Sequence, residues 1–130
     1  ILHLDNNQLT ALPSSLGNLP NLKTLYLYNN QLTALPEGLF SEGNLPNLKT
    51  LSLHDNALTT LPEELFSEGN LPNLQGLYLH RNQLTTLPES LGNLPKLQEL
   101  NIYDNQFTNL DQNPVVLELE ERGCVVRYQI

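Results

Sequence analysis

The stretch Leu22-Lys-Thr-Leu25-Tyr-Leu27-Tyr-Asn-Asn30-Gln-Leu32 returns almost unchanged as Leu74-Gln-Gly-Leu77-Tyr-Leu79-His-Arg-Asn82-Gln-Leu84. Each copy turns on an asparagine, and three looser copies do the same. Asn7, Asn30, Asn56, Asn82 and Asn105 thus fall in step, 23, 26, 26 and 23 residues apart. Self-similarity at such a period marks units that cannot bury an apolar face alone and therefore stack into a solenoid. A stacked array offers one repeated open surface, so the residues that vary along it are where function is sought.

Within the unit, Leu25 and Leu27 alternate with Thr24, Tyr26 and Tyr28. A period of two sends the leucines to one face of a strand and the others to the opposite face. Successive copies then stack as parallel strands about 4.8 Å apart. Asn30 sits where the chain leaves the strand. An amide side chain both donates and accepts, so a column of inward-facing Asn7, Asn30, Asn56, Asn82 and Asn105 is expected to satisfy the turn backbone that stacking buries. The return path carries Leu32, Leu35, Leu39, Leu45 and Leu48, again inward. All nine prolines fall outside the predicted strands, as residues without an N–H must. Pro36, Pro62 and Pro88 are expected to open short helical or 3₁₀ turns. The two longer repeats share the decapeptide LFSEGNLPNL, at Leu39–Leu48 and Leu65–Leu74. Its extra Phe40-Ser41-Glu42 makes close to one helical turn, which keeps the leucine faces in phase. Phe40 and Phe66 are expected to stack on each other in the core or at the convex edge.

These phrases resemble the leucine-rich repeat family, whose pattern is LxxLxLxxNxL. The continuation Leu-Thr-x-Leu-Pro, at Leu9–Pro13 and Leu84–Pro88, is similar to the short, 23-residue subtype common in bacterial proteins. The resemblance covers residues 1 to 112 and implies an α/β fold. That fold is a right-handed solenoid, or horseshoe, with a parallel concave sheet and a convex side of 3₁₀ and short helical segments. The expected organisation is five repeats over 1–112, the first truncated at its N-terminus, then a C-terminal helix–strand cap over 113–130. The family hosts many unrelated functions. It suggests a bacterial protein that recognises another protein, a host protein if the chain belongs to a secreted effector. The alternative is a scaffold or regulatory module within its own cell.

At 130 residues the chain is one domain with leucine enough for a continuous core. A net charge of −8 argues against nucleic acid and anionic membranes as partners. No stretch approaches the roughly 18 uninterrupted apolar residues of a membrane span. The single Cys124 cannot form an internal disulfide, which suits a reducing compartment or a bacterial source. The sequence opens at Ile1 without Met, and Leu2 and Leu4 already belong to a strand. Terminal repeats need polar caps, so residues upstream are expected, and any targeting signal would lie there. Cytoplasm and secretion both stay open. At the other end, Asn113-Pro114 reads as an N-cap with proline at the first helical position, and Gly123 is placed to end the helix. Residues 124–130 alternate as a sixth, edge strand covering repeat five. Cys124 reads as a small buried hydrophobe.

The outward strand positions include Tyr26, Tyr28, His54, Asp55, Tyr78, His80, Arg81 and Tyr103. All three histidines and four of the five tyrosines fall on this face. Tyr and Arg are enriched at protein interfaces, so these eight residues are the expected partner-binding set, with Gly76 leaving a notch beside Tyr78. The bland alternative is an aromatic ladder that merely supports the sheet. His54 and His80 share a column on adjacent strands near Asp55, which makes them a zinc candidate, although no metal or cofactor is expected to be needed. There is no Ser-His-Asp or Cys-His arrangement and no phosphate loop, so no enzyme is expected. Protonation of the two histidines beside Arg81 is expected to weaken binding below about pH 6. A monomer is expected.

Overall fold

The computed structural model describes residues 1–128. Six short strands, β1 (Leu2–His3), β2 (Thr24–Tyr26), β3 (Thr50–Ser52), β4 (Gly76–Tyr78), β5 (Glu99–Asn101) and β6 (Val125–Arg127), pair in chain order into one parallel sheet. The register follows the repeat: Leu2, Leu25, Leu51, Leu77, Leu100 and Val126 lie side by side. Ladder bonds run past the strand ends, as in Leu27 N–H to Ser52 O (2.8 Å) and Leu53 N–H to Tyr78 O (2.8 Å). A parallel ladder needs a long crossover between neighbours, and each return segment supplies it. Gln129 and Ile130, assigned by periodicity to the sixth strand, lie outside the described residues.

The strand leucines meet those of the return path in one continuous core. Leu25, Leu27, Leu32, Leu39, Leu45 and Leu48 of the second repeat are all fully buried, as are Leu51, Leu53, Leu58, Leu71 and Leu74 of the third, with Leu65 nearly so. Phe40 and Phe66 are buried with centroids 6.3 Å apart and planes 21° from parallel. Pro13, Pro62 and Pro88 each precede a 3₁₀ segment, at Ser14–Asn18, Glu63–Phe66 and Glu89–Asn93. Residues 37–40 after Pro36 form turns instead. The reason is Gly38, which stands where the next repeat has Glu64 and takes φ +78, a left-handed conformation open to glycine.

The loop that contains the three-residue insert turns by 3₁₀-type bonds, not as a regular α-helical turn. It bends through Gly43 and Gly69 (φ +88 and +93) and holds Leu45 and Leu71 at φ +44 and +45. The Asn44 amide donates to Gly38 O at 2.8 Å, and the Asn70 amide donates to Glu64 O at 3.2 Å. These amides reinforce backbone turns of the 3₁₀ type, Ser41 N–H to Gly38 O (3.2 Å) and Asn44 N–H to Ser41 O (2.8 Å) with Ser67 and Asn70 alike, and the leucines still point inward.

The C-terminal end is covered by the helix α1 (Pro114–Glu121). Asn113 Oδ1 accepts from the N–H groups of Val115 and Val116 at 2.9 and 3.2 Å, an N-cap with proline behind it at the first position. Gly123 at φ +92 ends the helix. Its N–H goes to Glu120 O, and that of Cys124 goes to Leu119 O, the two bonds of a Schellman motif. Arg122 donates to Gly92 O and Leu94 O, both at 2.7 Å. Val116 and Leu119 are fully buried and Cys124 nearly so, and burial pushes the Cys124 thiol pKa up. At the opposite end Leu2, Leu4, Leu9, Leu16 and Leu22 are only half-buried.

Candidate functional site

The face opposite the leucines is set by one backbone device repeated five times. Immediately before each ladder asparagine, Asn6, Asn29, Asp55, Arg81 and Asp104 take φ between 55 and 58°. Asn and Asp tolerate this left-handed region and arginine does so less readily. The turn lets the next asparagine point inward. The Asn82 amide nitrogen donates to Leu53 O (3.1 Å) and Leu79 O (3.0 Å), while its oxygen accepts from Leu58 N–H (3.0 Å). Asn30, Asn56 and Asn105 repeat this pattern across one repeat boundary each. Asn7 reaches only Leu4 O and Asp5 O within its own repeat.

With the backbone so fixed, outward side chains two residues apart along the strand form rows across the sheet. Tyr28, His54, His80 and Tyr103 make one row of four rings. Neighbouring centroids are 4.6, 4.2 and 4.5 Å apart, with planes within 8, 13 and 21° of parallel. These spacings are close to the strand separation, so the ring faces are occupied by each other and the partner-accessible surface is their edges. Tyr26 lies in the next row, 5.0 Å from His3 and edge-on to Tyr28 at 5.9 Å. Asp55 and Arg81 belong to the turn positions beside the row. All eight residues expected to bind a partner therefore occupy one face. The residues are half-buried for the most part, and stacking leaves His80 only 7% exposed.

Two expectations change. Gly76 leaves no vacant notch: the Tyr78 ring folds over it, so that a Cβ added there would meet the ring carbon and the hydroxyl at 3.1 Å. Burial and the neighbouring Glu99 carboxylate push the Tyr78 hydroxyl up to about 12. The histidine window also moves. Burial, then the charge of His54, brings His80 down to about 4, and burial lowers His54 as well. His80 is therefore neutral through pH 6, and an affinity that stays flat between about pH 5.5 and 8 is compatible with its taking part.

Charge on this face is paired rather than open. Arg81 lies 3.6 Å from Asp55 and 3.8 Å from Asp104, one on each neighbouring strand, and its side chain stays 55% exposed. Arg127 lies 3.6 Å from Glu99. His54, Asp55 and His80 each bring a donor atom within 4.8 Å of the others. Inspection of residue types missed a further row on the return path, where Asn47 and Asn73 donate to Pro20 O and Pro46 O of the preceding repeat at 2.7 Å. Lys96 takes the corresponding place and donates to Asn73 Oδ1 at 2.8 Å. The recurring Asn-Leu-Pro-Asn was the signal that could have revealed it.

The family model described as "Leucine rich repeat" matches residues 46–107, and the two-copy model "Leucine Rich repeats" matches 1–41 and 24–67. This chain belongs to the leucine-rich repeat family. Among solved structures it is similar to a leucine-rich repeat protein of Leptospira interrogans, at 36% identity and a TM-score of 0.85 over 98% of this chain and 30% of that one. It is similar also to the leucine-rich repeat domain of APL1B, at 32% and 0.68 over 78% of this chain and 28% of that one. A third similarity is to the leucine-rich repeat domain of the type III effector XopL, at 36% and 0.69 over 78% of this chain and 35% of that one. The chain spans about a third of the length of these structures. No curated protein matches it. Leucine-rich repeat domains generally serve as protein-interaction scaffolds without catalysis. Among the described residues no helix is long and apolar enough to cross a membrane.

Proposed function

We propose that this leucine-rich repeat chain is a recognition module that holds a partner protein on its concave face. Tyr26, Tyr28, His54, Asp55, Tyr78, His80, Arg81 and Tyr103 form the contact. The observation that carries the reading is the row of four stacked rings with Arg81 beside it. Its members are fixed by stacking before any partner arrives, which lowers the ordering cost of binding. The row also combines the residue types that dominate binding energy at interfaces. The arrangement presents ring edges and polar tips, so it favours a partner with hydrogen-bonding groups over one that inserts a flat ring. Similarity to a bacterial repeat protein and to an effector's repeat domain supports a role in a secreted bacterial effector that meets a host protein. We take residues 1–112 as the repeats, residues 113–130 as the cap, and the chain as a monomer.

The test is partner capture with the Tyr28→Ala/Tyr78→Ala double variant beside a Glu64→Gln/Glu68→Gln variant altered on the return side. For a captured partner, affinity should fall by more than about tenfold in the first, as for hot-spot residues, and hold in the second. Circular dichroism should show both folded. A partner that tolerates the double tyrosine change would place binding on another surface.

A further inference from the structure

His54 and His80 hold corresponding positions on neighbouring parallel strands, and the Asp55 N–H to His80 O bond of 3.1 Å locks that register. Asp55 follows His54 directly, and a donor atom from each of the three lies within 4.8 Å of the other two. In both rings Nδ1 is buried without a hydrogen-bond partner, which leaves Nε2 as the ring nitrogen at the concave surface. We propose that His54, His80 and Asp55 bind a divalent transition ion of the zinc class, with a fourth position left open toward the concave face.

Two nitrogens and a carboxylate suit Zn²⁺ or Co²⁺, whereas Ca²⁺ and Mg²⁺ prefer all-oxygen sets. Imidazole must be neutral to ligate, so binding is measured near neutral pH. As they stand the rings are 13° from parallel with centroids 4.2 Å apart, so their in-plane lone pairs do not converge. Two nitrogens each about 2.1 Å from one ion must lie roughly 3.3 Å apart. Aiming both lone pairs at one ion therefore requires the two side chains to rotate out of the stack. The ion then replaces a stacking contact between two rings, and Tyr28 and Tyr103 still bound the row on either side.

Asp55 must also leave Arg81, to which it is held at only 3.6 Å. Arg81 keeps Asp104 at 3.8 Å, so its charge stays offset. Ligating histidines normally donate their other N–H to an acceptor that fixes the ring. Neither Nδ1 has such an acceptor here, which sets the expected affinity in the micromolar range, below that of a dedicated structural zinc. Three protein ligands and an open position are the pattern of a site that takes water or an incoming ligand atom.

The inference concerns the chain alone and stands whether or not the partner face is rightly assigned. Titration calorimetry with ZnCl₂ near neutral pH, and the visible absorption of added Co²⁺, read it on the whole 130-residue chain. One ion per chain with a micromolar Kd is expected. Binding should persist in His3→Gln, which removes the other His–Asp pair on this face, and vanish in His54→Gln and His80→Gln. Asp55→Asn should weaken it by about tenfold, and Arg81→Gln should tighten it several-fold by removing a competing cation. If a histidine variant does not fold, these opposite shifts carry the test. No binding below about 1 mM, or binding that survives both histidine changes, overturns the proposal.

Discussion

A single asparagine in this fold does the work of several backbone partners, and how much it does depends on where it stands. Asn82 serves Leu53, Leu58 and Leu79 at once in a buried setting. Removing its amide strands the buried Leu58 N–H, at a cost of about 1–3 kcal/mol when left unpaired, while Leu53 O and Leu79 O each lose one of two donors and keep the amides of Asn56 and Asn105. Asn82→Ala should therefore lower the unfolding free energy by about 2 kcal/mol or more. Asn7→Ala, at an exposed position with two contacts inside its own repeat, should cost under about 1 kcal/mol. Urea denaturation of the two variants decides this, and equal losses would show that the ladder is not graded. The ladder positions were readable from the 23- and 26-residue spacing. The left-handed residue before each of them was not, because Arg81 hides a position otherwise held by Asn and Asp.

At the scale of elements, the ring row binds strands that share only a few ladder bonds each. Its cohesion depends on neutral imidazoles. His80 titrates at about 4 in the fold and near 6.5 when unfolded. Between those values the unfolded chain takes a proton that the folded chain refuses, so stability falls as pH drops through this window and levels off below it. The shift of His54 has the same sign. In chelator-containing buffer, where no ion competes for the rings, the loss from His80 should reach at most about 3 kcal/mol. His80→Gln should flatten the profile between pH 6.5 and 4. Thermal unfolding of both proteins across that range measures it, and parallel curves would remove the histidine from the account. Sequence periodicity placed these rings on one face. It offered a ladder of these rings as an alternative but gave no view of their burial, which depends on strand register and side-chain direction together.

The whole molecule is a row of units, each supported by its neighbours, and its two ends differ. The C-terminal end is closed by α1, by the Arg122 bonds to Gly92 O and Leu94 O, and by β6. At the other end five leucines stay half-buried and Ile1 is 78% exposed. In a nearest-neighbour array, opening of this 130-residue chain begins at its less buried end. Native-state hydrogen exchange should therefore show Leu4 and Asn6 N–H exchanging fastest among the ladder amides, and Leu53 and Leu79 slowest. Uniform protection along the array would mean that the chain opens only as one unit.

The sequence by itself determined the repeat, the inward leucines, the asparagine positions, the stacked phenylalanines and the capped terminal helix. These follow from local periodicity and from residues with one strong conformational role, such as Gly123 and Pro114. Tertiary structure decided that the insert's loop closes on Asn44 and Asn70, that Tyr78 lies over Gly76, and that His80 is closed in by its neighbours. Those outcomes depend on atoms brought together across repeats, where burial and close approach set both conformation and proton affinity.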